Sequence, residues 1–295
     1  MSQQSKLKIF RLGFKTNEWN SKYVETNNED RALYLYQETQ IRKFLLSIFK
    51  KKEIFTYNFK IVRSHNKVNV IITYFTNIHI DNKNSQPFKN KLTNFLNFCN
   101  NEEIEHPSYS SNVKSFNDIK QKDFSTLQIL KVLQSFVGKS SSVSIKLLNI
   151  KTSLFFKEQF KKKLLQIVYQ LRKYQKKEFF FQTLVILLIT YQKKNSAELL
   201  GNWITLQLSK LKIHNQFLAF LNVALVLLLN SYFSNIKGIK ILIKGRLNNK
   251  PRKQTKIIQA GKISLQTFES VINQSQSTAY TKNGTLGIKV WICEN

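Results

Sequence analysis

The residues that staple, kink or loosen a fold are scarce in this 295-residue chain, which has 2 cysteines, 3 prolines, 8 glycines and 1 methionine. Cys99 and Cys293 are far apart, with no C-x-x-C pair and no second ligand cluster beside either, so neither a disulfide framework nor a structural zinc site fits. Acidic residues are equally short: 17 Asp and Glu stand against 47 Lys and Arg, a net charge of +30. Self-repulsion on that scale destabilises a free compact state, so the chain is expected beside a dense counter-charge, of which nucleic acid is the commonest. It is no disordered basic tail, because 42% hydrophobic and 13% aromatic residues suffice for real cores. The length suits about two domains.

Long uncharged runs are rare as well. Phe179–Tyr191 is too short to span a bilayer, and its β-branched and aromatic residues predict a buried strand. The run from Phe217 to Phe233 has no charge but is interrupted by Asn222 and Asn230. It reads as a buried helix, with a membrane helix as the alternative. The N-terminus, MSQQSKLKIF, is neither a secretory nor an Arg-rich presequence.

Catalytic patterns are also missing. Gly138-Lys139-Ser140 lacks the phosphate-loop glycine five residues earlier, where Leu133 stands. His65, His79, His106 and His214 have no metal-ligand spacing. Glu102, Glu103 and Glu105 beside His106 lie in a polar stretch that reads as a solvated patch. The expectation is no enzyme, no metal and no cofactor.

What is present concentrates at the C-terminus. Ile239, Ile241 and Ile243 alternate with Lys240, Leu242 and Lys244. Leu286, Ile288, Val290 and Ile292 alternate with Gly287, Lys289 and Trp291. This period of two marks half-buried strands, and Gly245, Gly261 and Gly284 fall where strands should end. Lys244, Arg246, Lys250, Arg252, Lys253, Lys256 and Lys262 follow with no acid until Glu269. The polar side of the sheet is therefore a candidate polyanion surface, and the Phe217–Phe233 helix its apolar backing. Arg246 is the foremost candidate, since a planar guanidinium can take a phosphate through two hydrogen bonds.

Upstream, Glu38–Lys52 places Ile41, Leu45, Ile48 and Phe49 on one helical face. Lys60–Phe75 reads as two strands around Ser64-His65-Asn66, and Asn77 to about Asp123 as a polar insertion with a weak helix near Leu92–Phe98. Ser125–Val137 reads as a helix and Val143–Ile150 as a strand. Phe160–Arg172 reads as an amphipathic helix whose opening lysines, Lys161–Lys163, oppose its dipole unless phosphate lies near. Ser196–Leu211 reads as a helix with Ser196 as N-cap.

These residues carry a resemblance. Gly238-Ile239-Lys240, Gly245-Arg246-Leu247, Gly261-Lys262 with Leu265, and Gly284 through Ile292 resemble the C-terminal domain of the universal small-subunit ribosomal protein three family. Arg11-Leu12-Gly13 and Trp19-Asn20-Ser21, with the helix holding Ile41-Arg42 and Leu45, resemble its N-terminal opening. The likeness covers roughly residues 9–75 and 160–295. The Asn-, Lys-, Ile- and Phe-rich composition resembles mitochondrially encoded members.

The resemblance implies an α+β fold. It has a degenerate KH-type (type II) N-terminal domain at 1–195, interrupted by a polar insertion at about 77–155. A C-terminal domain follows at 196–295, with helices packed on a mostly antiparallel four-stranded sheet. It further implies a structural role in the head of an organellar small ribosomal subunit, near the mRNA entry. The expected partners are small-subunit rRNA, nearby mRNA and neighbouring head proteins, with no membrane span and no homo-oligomer. The expected location is the mitochondrial matrix, the plastid standing second. The implied RNA-binding set is Arg11, Lys161, Lys162, Lys240, Lys244, Arg246, Lys250, Arg252, Lys253, Lys256, Lys262, Lys282 and Lys289. Two family features are missing. No GXXG loop, with which a KH domain clamps a nucleic-acid backbone, occurs between Phe75 and Phe160. If Phe217 matches the family's phenylalanine, Leu218, Ala219 and Asn222 replace the basic residues associated with mRNA unwinding. A free-standing organellar RNA-binding factor and a basic membrane-associated protein are the alternative readings.

Overall fold

A computed structural model of the chain describes residues 11, 19–25, 27–64, 67–76, 126–138, 141–150, 158–193, 196–230, 235–248 and 250–294. Among the described residues six α-helices and eight strands occur, and the chain divides into two compact units. The expected helix near Leu92–Phe98, the rest of the polar insertion before Thr126, and Gly138's neighbours Lys139 and Ser140 lie outside the described residues.

The smaller unit takes in Trp19–Thr76 and the stretch ending at Ser153. Its strands are β1 (Ser21–Lys22), β2 (Ile54–Ser64), β3 (Lys67–Thr76) and β4 (Ser142–Asn149). They lie side by side in that order. β2 and β3 are antiparallel, while β1 on β2 and β4 on β3 are parallel, so the sheet is mixed. Helices α1 (Asn28–Lys51) and α2 (Thr126–Val137) supply Ile41, Leu45 and Phe49, and Ile129, Leu133 and Val137, to one core. There they meet Phe59 and Ile61 of β2 and Val68, Val70 and Ile72 of β3, which cross-strand register places on one face. Asn27 and Asp30 form a reciprocal cap at the start of α1, which begins ten residues before the amphipathic stretch read from sequence.

The larger unit runs from Leu154 to Asn295 and takes in Arg11. Its helices are α3 (Glu158–Gln170), α4 (Phe179–Gln192), α5 (Ala197–Lys210) and α6 (Asn215–Leu229). Its strands are β5 (Ile236–Gly245), β6 (Gln254–Gly261), β7 (Ile272–Thr281) and β8 (Gly284–Glu294), an antiparallel sheet in the order β6-β5-β8-β7. The expected four-stranded antiparallel sheet backed by helices is present.

The apolar run at 179–191 is helix, not strand. Twelve of the fourteen residues of α4 are buried, so it has no polar face to give a helical period. Its length of fourteen residues suits a helix better than a strand. Phe179 packs edge-on against Phe217 at 5.2 Å between ring centres, and Phe180 lies 5.6 Å from Phe220, joining α4 to α6. Trp203 of α5 donates its indole N–H to Thr183 Oγ1 at 3.2 Å, and Tyr191 its hydroxyl to the Leu225 carbonyl at 3.0 Å. Burial raises the Tyr191 pKa far above its usual range. α4 is thus the centre of the helical layer, and the 196 boundary expected from sequence falls inside this unit.

α6 has 15 residues, about 22 Å of helix against a hydrocarbon core of about 30 Å. Among the described residues no helix is long and apolar enough to cross a membrane. Phe217, Leu218, Phe220, Leu221, Ala224, Leu225 and Leu228 are all buried, and α6 packs on β5 and β6. Leu218 is therefore core, which fits the absence of a basic residue there. Ser196 occupies the N-cap position of α5, but its hydroxyl donates to the Thr190 carbonyl and makes no cap bond.

Candidate nucleic-acid interface

The period-two alternation of β5 and β8 sorts the C-terminal sheet into two faces. Ile239, Ile241, Ile243, Leu286, Ile288, Val290 and Ile292 are all fully buried under the helices. α5 lies on β7 and β8, and α6 on β5 and β6. On the opposite face, cross-strand register lines up Lys240 with Gln259 and Trp291, Leu242 with Ile257 and Lys289, and Lys244 with Thr255 and Gly287.

This outer face is covered at one end. Ile272, Trp291 and Cys293 pack there with Leu242, Ile263 and Leu265. Arg11 closes the cluster: it is 3% exposed, and its Nη2 donates to the carbonyls of Leu265 and Thr267, each at 2.8 Å. Arg11 was expected to bind RNA. The structure instead buries it as a latch across 254 residues of sequence. Burial lowers the Arg11 pKa, and the Cys293 thiol acts weakly the other way.

The other end of the sheet is basic. β5 and β8 are antiparallel, with Lys244 opposite Gly287, so the β5–β6 and β7–β8 turns emerge at the same end. The first turn carries Arg246, Lys250, Arg252 and Lys253, the second Lys282, and all five are exposed. Arg246 Nε donates to the Lys250 carbonyl at 3.2 Å, which shapes the turn and directs one of its N–H donors inward. Gly245, at φ +151°, begins the turn where a Cβ would lie 2.5 Å from Leu286 Cδ2 and 2.8 Å from the Thr285 carbonyl.

The turn is also tied to the helices. Asn248, at φ +53°, accepts the His214 backbone N–H on Oδ1 at 2.8 Å and donates from Nδ2 to Asn215 Oδ1 at 2.6 Å. His214 is buried, with Nε2 3.1 Å from the Leu208 carbonyl and Nδ1 facing the Asn248 N–H at 3.5 Å. The ring therefore donates from Nε2 and accepts at Nδ1. Sequence reading missed this lock because its partners are 34 residues apart.

The remaining candidates are dispersed. Lys240 and Lys289 stand half-buried on the outer face. Lys256 pairs with Ile243 and so projects on the helix side of the sheet, not with the outer lysines as expected. Lys262 is exposed at the latched end, its N–H donating to the Lys237 carbonyl at 3.2 Å. Lys162 is exposed on α3, and Lys161 belongs to the same helix.

Residues 215–292 match the model of the family described as "Ribosomal protein S3, C-terminal domain". Small ribosomal subunit protein uS3c of Cyanidium caldarium is 44% identical over 59 residues, which are 20% of this chain and 28% of that protein. Protein uS3 of Phocaeicola vulgatus is 42% identical over 64 residues, 22% of this chain and 26% of that protein. Protein uS3c of Guillardia theta is 32% identical over 96 residues, 32% of this chain and 42% of that protein. The aligned stretches thus span between about a quarter and two-fifths of these relatives. Residues 215–292, which take in α6 and the antiparallel sheet but for the last two residues of β8, are thus similar to the C-terminal domain of the ribosomal protein S3 family.

Proposed function

We propose that the chain is a structural constituent of the small subunit of an organellar ribosome, held on small-subunit rRNA by the basic end of its C-terminal sheet. One observation carries this reading: the two turns at one sheet end place Arg246, Lys250, Arg252, Lys253 and Lys282 together, all exposed. The names of the relatives support it, each being a small ribosomal subunit protein. The binding is electrostatic positioning on phosphates, and no bond is made or broken.

We place the chain in the subunit head near the mRNA entry, among neighbouring head proteins. We read the smaller unit as a KH-type domain without its loop. Its order of helix, two strands, helix and strand, with a mixed sheet, supports that reading. Residue choice favours the mitochondrion. The uS3c relatives, of chloroplast type, favour the plastid as a second reading, and fractionation of the two organelles separates them.

The test is rRNA binding by the full chain and by the Arg252→Glu, Lys253→Glu double variant across a salt series. Each phosphate contact contributes roughly 0.7 to 0.9 to the slope of log affinity against log salt. The double variant should lose about 1.5 from that slope and weaken at every salt concentration. An unchanged slope contradicts the proposed interface.

A further inference from the structure

The open half of the sheet's outer face adjoins the basic turns and has its own chemistry. The latched cluster occupies only one end, around Ile272, Trp291 and Cys293. Beyond it, outward-facing positions hold lysines, amides, hydroxyls and exposed apolar groups, and none is acidic on any of the four strands. Lys240 and Lys244 lie about 13 Å apart along β5, and Lys289, opposite Leu242, lies about 8 Å from each. A face with that charge complements a polyanion. A duplex of uniform charge, however, has no use for the exposed apolar groups beside it.

Those groups are Tyr280, 68% exposed, and Ile257, 55% exposed. Tyr280 pairs with Thr285 near the end of β7, two residues before Lys282. Its diagonal neighbour on β8 is Gly287, opposite Thr278. A Cβ at Gly287 would meet nothing closer than the Lys244 carbonyl at 3.8 Å, so the sheet there is bare backbone open to solvent. An exposed aromatic ring beside bare backbone, flanked by Lys244, Lys282 and Lys289, is a place for a planar base with its phosphates on the cations.

We infer that the open outer face of the C-terminal sheet takes an unpaired segment of RNA, with one base stacked on Tyr280 over Gly287 and the adjoining phosphates on Lys244, Lys282 and Lys289. The inference deepens the RNA-binding reading above and rests on it. It adds that the bound RNA is single-stranded at this face, and that the contact is a stack and not only charge. The basic turns contact phosphate whatever the strandedness of the RNA.

The test uses the full chain with two fluorescent probes, a short oligouridine and an RNA duplex of equal length. Tyr280→Ala should weaken oligouridine binding about 10-fold and leave duplex binding within about twofold. Tyr280→Phe should keep the wild-type affinity for both. Melting of both variants is measured beside wild type, so that a loss of fold is told apart from a loss of binding. Equal losses on the two probes, or no loss on oligouridine, overturn the inference. So does displacement of oligouridine by polyglutamate as effectively as by unlabelled oligouridine, which would make the face a dock for an acidic protein. The Arg252→Glu, Lys253→Glu variant separates the two claims. If it weakens both probes and Tyr280→Ala weakens neither, only the stacking inference fails. If it weakens neither probe, the RNA-binding reading fails with it.

Discussion

Gly201 lets α5 lie close on β7. A Cβ there would collide with Ser275 Oγ, lie 3.3 Å from Ser277 Oγ and 3.6 Å from Ser275 Cβ. Both hydroxyls are buried without a hydrogen-bond partner. Gly201→Ala gains about 1 kcal/mol of helix propensity but incurs an overpacking cost of about 1–3 kcal/mol. The expected net loss is about 1 kcal/mol. Ser275→Ala removes the colliding atom and an unsatisfied buried hydroxyl, and should stabilise by about 1 kcal/mol. With the clash gone and Ser275 Cβ at ordinary contact distance, the double variant recovers the propensity gain. It should be more stable than either single variant, with a coupling of about 1.5–2.5 kcal/mol. Urea unfolding followed by tryptophan fluorescence measures this, since Trp203 and Trp291 are buried in the larger unit. Additive effects within about 0.5 kcal/mol would refute the packing argument.

Arg11→Ala should destabilise the larger unit by about 2–4 kcal/mol, through loss of two charge-assisted bonds to Leu265 and Thr267, and faster amide exchange across 262–271 would show it. Arg11→Lys should recover less than half, because the ammonium is more strongly hydrated than a guanidinium and costs more to bury at this site. Asn248→Ala leaves the His214 N–H without its cap and places alanine at a positive φ. It should cost about 1–3 kcal/mol by the same urea assay, and no loss would contradict the lock. In a Cys99→Ser background, the buried Cys293 thiol should react with a thiol reagent only as fast as the larger unit opens; reaction at the rate of a free thiol would contradict its burial.

The parts legible in the sequence were those with one apolar and one polar face. β5 and β8 alternate cleanly because the helices cover only one side, and the stripe of Ile41, Leu45 and Phe49 marks the buried side of α1. α4 reads as a strand in the sequence because burial on every side erases periodicity, and its Ile, Val, Thr and Phe content imitates a strand. The side that Lys256 takes follows strand parity, which a count of charges along the chain does not contain. Ile258 and Ala260 face the helices, so Lys256, two residues before Ile258, must share that side. The Arg11 latch and the His214–Asn248 lock left no local signal, as their partners meet only in the folded chain. The gathering of both basic turns at one sheet end follows from antiparallel order, which a list of lysines does not contain.

On the function proposed above, the basic end of this sheet seats the chain in a small ribosomal subunit. The most direct measurement is sucrose-gradient sedimentation of organellar extract containing tagged full chain or its Arg252→Glu, Lys253→Glu variant, both checked for equal melting. The wild-type chain is predicted to travel with small subunits, and the folded variant to remain largely at the top of the gradient. A wild-type chain absent from the small-subunit peak, or a variant that enters it undiminished, would contradict seating through this end of the sheet.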